Sequence, residues 1–278
     1  MTAPAGPPGG ADWEVRHGDC MDPLTGLPSL ADLSVDVVIT DPPYSRRVHE
    51  RQRRGLMSRE RKGTEKAARS RNRDLGFSHL EAELREGVAR ELARLTWRWI
   101  LMFSDFESTH LWERDLVAHG LEHIQVGIWH KLGATPQFRG DRPAAGAEAI
   151  EIAHPPGRKR WNGIKRKEDE KPKKGGHAFW EHAIVLDRAG KGRRHHTTPK
   201  PFALMEELVL AFSEPGELVL DPFCGSGTTG IACRKHGRRF LGWELDRRYA
   251  KIARARIAGL VVPELDRPQL EMFVEDAP

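Results

Sequence analysis

Ten residues, Val35-Asp36-Val37-Val38-Ile39-Thr40-Asp41-Pro42-Pro43-Tyr44, restrict this chain more than any other stretch. A run of β-branched residues reads as a strand buried on both faces. The run stops at Asp41 because two prolines cannot continue a sheet ladder. Pro42 also biases Asp41 away from the helical region, so its carboxylate is expected on extended backbone just past a strand's carboxyl end. Open α/β sheets place their sites at that edge. Neither proline donates a backbone N–H, so the carbonyls here lack local turn partners and can face a ligand. Tyr44 adds a flat aromatic face. A carboxylate acceptor, aimed carbonyls and a stacking ring suit a planar group carrying an exocyclic amine. The plainer alternative is an acidic turn after a core strand, and the combination of residues weighs against it.

A length of 278 residues fits one large α/β domain, or one domain with a small insert. No apolar run approaches the length of a membrane span. Residues 1–10 form a Pro/Gly/Ala tail without the basic and apolar regions of a secretory signal, and disorder is expected there. Three cysteines without a Cys-x-x-Cys pair fit a reduced, cytoplasmic protein with no zinc site. The net charge is +5, but its placement says more. Residues 45–74 hold twelve Lys/Arg against four acids, and residues 157–174 hold nine against three. The basic charge is thus concentrated in two segments on an otherwise acidic body, as a polyanion partner requires. Solvated charge runs are the alternative. Trp161 and Asn162 within the second run favour a contact surface.

Strands are expected over 13–17, 35–40, 97–103, 123–129, 149–153, 182–186, 217–220 and 239–243. Helices are expected over 80–95, 111–119, 202–212, 228–236 and 246–258, with Asp246 as a cap. One short helix is expected within 24–33. This alternation argues a Rossmann-like, doubly wound, mostly parallel sheet. The second strong signal is Leu218 to Thr229, a buried strand running through Asp221-Pro222-Phe223-Cys224-Gly225-Ser226-Gly227 into a helix. Gly225 and Gly227 allow a sharp bend and a close ligand approach. Glu244 ends the next strand, where a carboxylate grips ribose hydroxyls in nucleoside-binding sheets. The G-x-G-x-x-G spacing alone would also suit a dinucleotide, but Asp221 in the turn would repel a pyrophosphate and welcome a cationic ligand.

Together, Asp41-Pro42-Pro43-Tyr44 and Asp221-Pro222-Phe223-Cys224-Gly225-Ser226-Gly227-Thr228-Thr229 resemble the S-adenosylmethionine-dependent amino-methyltransferases of DNA. The order of motifs is similar to the β group, with the catalytic motif first and the cofactor motif last. The family's His-Pro-Thr-Gln-Lys-Pro pattern stands here as His196-Thr197-Thr198-Pro199-Lys200-Pro201, with departures at Thr197 and Pro199. Gly18-Asp19-Cys20 resembles its short acidic motif.

The resemblance implies one catalytic domain over 11–260, a basic loop at 45–77, a target-recognition region at 133–181 and a tail at 261–278. It implies that Asp41, Pro42, Pro43 and Tyr44 are catalytic. S-adenosylmethionine would meet Asp221, Phe223, Cys224, Gly225, Ser226, Gly227, Thr228 and Thr229 around its methionine part. Thr198 and Lys200 would approach its carboxylate, Glu244 and Leu245 its ribose, and Asp19 and Cys20 its adenine. Double-stranded DNA is the implied partner, with a flipped-out adenine methylated at N6. Arg46, Arg47, Arg139, Arg142, Arg158, Lys159, Arg160 and Trp161 are the candidate DNA contacts. Dimers are common in the family, and restriction-modification is one of its settings. Alternatives are methylation of cytosine N4, methylation of an RNA or protein amine, a binding module without catalysis, and a nicotinamide oxidoreductase. The last gives no task to the Pro-Pro-Tyr corner. None of Cys20, Cys224 and Cys233 follows a proline, so the Pro-Cys nucleophile of cytosine-C5 enzymes is absent. His154 and the pair His195-His196 lack partners at ligand spacing, and no metal is assigned.

Overall fold

The computed structural model describes residues 12–43, 82–134, 143–164, 171, 175–184 and 199–260. Tyr44, Arg46, Arg47, Arg139, Arg142, Thr198, His195 and His196 lie outside them, as do the 45–77 segment and both tails.

Eight strands form one sheet: β1 (Trp13–His17), β2 (Val35–Thr40), β3 (Thr96–Ser104), β4 (Glu122–Leu132), β5 (Ala147–His154), β6 (Phe179–Ala183), β7 (Leu218–Asp221) and β8 (Arg239–Glu244). Their order is β1-β8-β7-β2-β3-β5-β4-β6. Five neighbouring pairs are parallel, and β5 runs antiparallel to both β3 and β4. Among the described residues five helices cover the sheet: α1 (Ala82–Leu95), α2 (Thr109–Ala118), α3 (Phe202–Phe212), α4 (Thr228–Lys235) and α5 (Arg247–Ile257). A 3-10 turn at Leu27–Ser29 is the short helix expected near the N-terminus.

The double winding follows from strand alternation. Val37 and Ile39 of β2, with Leu101 and Phe103 of β3, pack toward α3, α4 and α5. Val38 of β2, with Ile100 and Met102 of β3, packs toward α1 and α2. Every residue of β2 is buried, as a strand covered on both faces must be. Asp246 caps α5 by accepting the backbone N–H groups of Arg248 and Tyr249 at 2.7 and 3.2 Å.

One expectation is corrected, and one strand direction is new. The strand placed at 182–186 lies three residues earlier, because Phe179 and Trp180 pair with Ile128 and Trp129 and bury the indole of Trp180. The parallel alternation also breaks between β4 and β5. Among the described residues no helix lies between them, and the two strands pair antiparallel. β5 therefore begins at the same edge where β2, β3 and β7 end.

Gly230 of α4 shows how closely the cofactor-side helices pack. A Cβ there would lie 2.4 Å from Ile257 Cδ1 and 2.8 Å from the Phe240 ring. Gly230→Ala is expected to destabilise the fold by about 1–3 kcal/mol through overpacking, measured as a lowered urea midpoint with unchanged m-value.

Candidate active site

The carboxyl edge of the sheet gathers three acids on neighbouring strands: Asp41 after β2, Asp221 ending β7 and Glu244 ending β8. Thr40 Oγ1 donates to Asp221 Oδ1 at 2.7 Å, and Thr229 Oγ1 donates to Oδ2 at 2.8 Å. The Phe223 N–H also donates to Oδ1, at 3.2 Å. Asp221 is buried, and desolvation pushes its pKa up to about 7 against the pull of these three hydrogen bonds. Both oxygens are committed inside the protein. The sequence resemblance set Asp221 against the cofactor, whereas the structure makes it a brace between the two halves of the site.

The glycine bend divides its labour. Gly225 and Gly227 both adopt left-handed conformations, with φ of 53° and 82°. A Cβ on Gly225 would meet nothing within 4 Å, so its missing side chain leaves open space. A Cβ on Gly227 would meet Ala253 at 3.0 Å, so that glycine serves helix packing. Ser226 is occupied by Arg256, whose guanidinium donates to its carbonyl and hydroxyl oxygens, each at 2.8 Å. Phe223 is half-buried against the α1/α2 core, and Thr228 is buried in the first turn of α4. Leu245 is exposed.

Glu244 accepts the Asp246 N–H at 2.8 Å and is faced by the N–H of Gly225. Desolvation raises its pKa. The Gly18 N–H donates to the Glu244 carbonyl at 3.0 Å, which draws the Gly18-Asp19-Cys20 turn beside the bend. Asp19 is exposed there, its Oδ1 accepting the Met21 N–H at 2.9 Å. Space at Gly225 and the carboxylates of Asp19 and Glu244 fit a nucleoside with ribose hydroxyls and an amine, as S-adenosylmethionine has. The cysteines are packing residues: Cys20, Cys224 and Cys233 are buried, and burial raises all three thiol pKa values, that of Cys20 to about 12.

On the other side of β2, Asp41 meets a cluster that sequence reasoning missed. Lys200 Nζ lies 2.8 Å from Asp41 Oδ2 and 2.9 Å from Glu148 Oε2. Glu148 also pairs with Lys131. The Lys200 ammonium stands over the Phe103 and Trp129 rings at 4.7 and 5.8 Å. The flank of the Asp41 side chain is about a third open, yet Oδ1 is sealed and has no hydrogen-bond partner among the described residues. Desolvation raises the Asp41 pKa, Lys200 opposes it, and Glu148 adds to it. The Glu148 carboxyl is held down at about 2, Lys200 and then Lys131 outweighing its burial. Glu148 is one of two acids in β5, and no motif marks it. Pro42 is buried and Pro43 half-buried beside Asp41.

Arg158, Lys159, Arg160 and Trp161 are not brought to this edge. The Arg160 carbonyl accepts from Arg98 Nη2 at 2.9 Å and Trp99 Nε1 at 2.6 Å, near the start of β3. Arg160 stacks on Trp97 at 5.4 Å, and Lys159 pairs with Glu122. Trp161 packs against the core, and Asn162 Nδ2 donates to the carbonyls of Leu210 and Ser213 at the end of α3. From Trp97 to the level of Asp41 is roughly 20 Å along β3. The described part of this segment is a strap across the far edge of the sheet, away from Asp41.

Comparison with known proteins gives the chain's relatives. The N6_N4_Mtase family model, described as DNA methylase, matches residues 35–255. The chain is 27% identical over 251 residues to the type II methyltransferase M.HpaI of Haemophilus parainfluenzae, covering 86% of this chain and 73% of that protein. It is 48% identical over 62 residues to the type II methyltransferase M2.DpnII of Streptococcus pneumoniae, a match covering 22% of this chain and 23% of that protein. TTHA0409 of Thermus thermophilus, described as a DNA modification methylase and solved with S-adenosyl-L-methionine, superposes with a TM-score of 0.59 at 25% identity. That superposition covers 88% of this chain and 93% of the other.

The brace predicts a pH signature. Asp221 has a folded-state pKa of about 7 against 3.8 for the unfolded chain, so the folded protein binds its proton more tightly. Its contribution is fully present below the unfolded value and is lost as pH rises through 7. The unfolding free energy of the wild type, minus that of Asp221→Asn, should therefore fall between pH 4 and 7, by at most roughly 1.4 kcal/mol per pH unit. Urea titrations at several pH values measure it, and a flat difference would contradict the burial argument.

Proposed function

From the premise that this chain belongs to the N6/N4 DNA methylase family, we propose that it methylates the exocyclic N6 amine of an adenine taken out of duplex DNA. The family's cofactor is S-adenosylmethionine, which supplies a methyl group on a positively charged sulfur and so needs no covalent intermediate on the protein. The observation that carries the reading is the Asp41 carboxylate: it stands past the end of β2 with its side chain about a third open, and Lys200 holds one of its oxygens.

A conjugated amine is a poor nucleophile. Donation of its N–H to the Asp41 carboxylate favours a pyramidal nitrogen and exposes the lone pair, which takes the methyl carbon as the bond from that carbon to the sulfonium sulfur breaks. The Pro42 carbonyl is the second acceptor in this scheme, and Tyr44 stacks on the base. Glu244 holds the ribose, Asp19 meets the adenine amine of the cofactor, and Gly225 clears its path. Asp221 acts on both sides at once, by fixing Thr40 next to Asp41 and Phe223 next to the glycine bend. An acid at the first motif position favours adenine over cytosine. Double-stranded DNA is the partner, and the basic segment at 45–74 is the electrostatic surface proposed to meet it.

Transfer of tritium from labelled S-adenosylmethionine to duplex DNA, followed by nucleoside analysis, tests the assignment. The expected product is N6-methyladenine, with Asp41→Ala slower by on the order of 10²-fold or more. N4-methylcytosine would move the reaction to the other base of the same family. Label found only on RNA or protein, or undiminished in Asp41→Ala, would overturn the proposal. DNA affinity should also fall steeply and log-linearly with salt in a filter-binding titration.

A further inference from the structure

Four charges alternate in sign across the substrate side of the site: Asp41, Lys200, Glu148 and Lys131. They come from four places in the chain: the end of β2, the residue before the Pro201 cap of α3, the second residue of β5 and the next-to-last residue of β4. The pairing depends on β5 being antiparallel, because only then does position 148 start at the edge where β2 finishes. Lys200 is enclosed, with a side chain 11% exposed, and two aromatic faces confine its ammonium. Burying such a set is unfavourable unless each charge is paired. A surface pair would suffice to tether the loop before α3, yet this set converges on the one carboxylate that the reaction needs.

We propose that Lys200 and Glu148 are positioning residues for Asp41: Lys200 pairs with Oδ2, Glu148 fixes Lys200, and the carboxylate is thereby held in one orientation at the edge where the substrate amine arrives. The inference rests on the methyl-transfer reading above and deepens it. It departs from the sequence resemblance, which set Lys200 against the carboxylate of the cofactor. Lys131 anchors Glu148 from the far side and completes a neutral chain. The charged groups facing Asp41 are Lys200, Glu148 and Lys131, and Asp221 interacts with it from β7.

The arrangement has a signature of opposite signs. Removing the Lys200 charge takes away the counter-ion of Asp41, and its titration midpoint should rise by about 1 to 3 pH units. Removing the Glu148 charge takes away a like charge, and the midpoint should fall by about one pH unit. The readout is the Asp41 carboxyl resonance in protein labelled with ¹³C at aspartate, identified by its loss in Asp41→Asn. It is followed by NMR in the wild type, Lys200→Met and Glu148→Gln. The acid limb of kcat against pH should move with it, and cofactor affinity by calorimetry should stay within about twofold, since no cofactor contact is lost. Lys200→Arg should restore the wild-type midpoint in part. If Lys200→Met does not fold, the near-isosteric Glu148→Gln decides.

Equal midpoints in wild type and Glu148→Gln overturn the proposal. So does a Lys200→Met protein that loses cofactor affinity tenfold while its Asp41 midpoint stays in place, since Lys200 then serves the cofactor. The titration needs no turnover. Failure of the wild type to methylate DNA would sink the methyl-transfer reading and leave the titration to judge the positioning pair.

Discussion

The hydrogen bond from Thr40 to Asp221 joins the two halves of the molecule where they meet. It links neighbouring strands whose residues lie 181 positions apart in sequence. The parallel register of β2 with β7, Val37 beside Val219 and Val38 beside Leu220, brings the acid-and-proline corner level with the glycine bend. The register alone would leave the loops beyond each strand free to choose their directions. Asp221 removes that freedom by taking hydrogen bonds from Thr40, Thr229 and the Phe223 amide together. Burial raises the pKa of its carboxyl even so, because these three hydrogen bonds do not fully replace the water it has lost.

Much of the fold was legible in the amino-acid sequence because its signals are local. The strand at 35–40, the helix at 202–212 and the Asp246 cap each rest on periodicity or capping within a dozen residues, and the structure has them. The direction of β5 was not legible, since it depends on what lies between β4 and β5 rather than on either strand. The offset of β6 has a similar cause: the pairing of Phe179 with Ile128 is a long-range choice that outweighs the apolar run after His182.

The site was legible in part for the same reason. Asp41, Gly225 and Glu244 announce themselves by position relative to strand ends. The different tasks of Gly225 and Gly227 do not, because open space beside one and Ala253 beside the other are tertiary facts. Glu148 and Lys131 carry no motif and become significant only when antiparallel pairing brings them to Lys200. The basic run at 157–174 reads as a partner surface by composition. What composition does not reveal is that its Arg160 carbonyl and Asn162 amide tie the start of β3 and the end of α3 together.

The reversal at β5 has an evolutionary corollary. The connection between Leu132 and Ala147 leaves and re-enters the sheet at the edge occupied by Asp41, and both of its ends are clamped by ladder pairing. Segments of different length and chemistry can be grafted between those clamps while the hydrophobic layers beneath keep their packing. A fold with this hairpin can thus diversify what it recognises and keep the reacting corner unchanged.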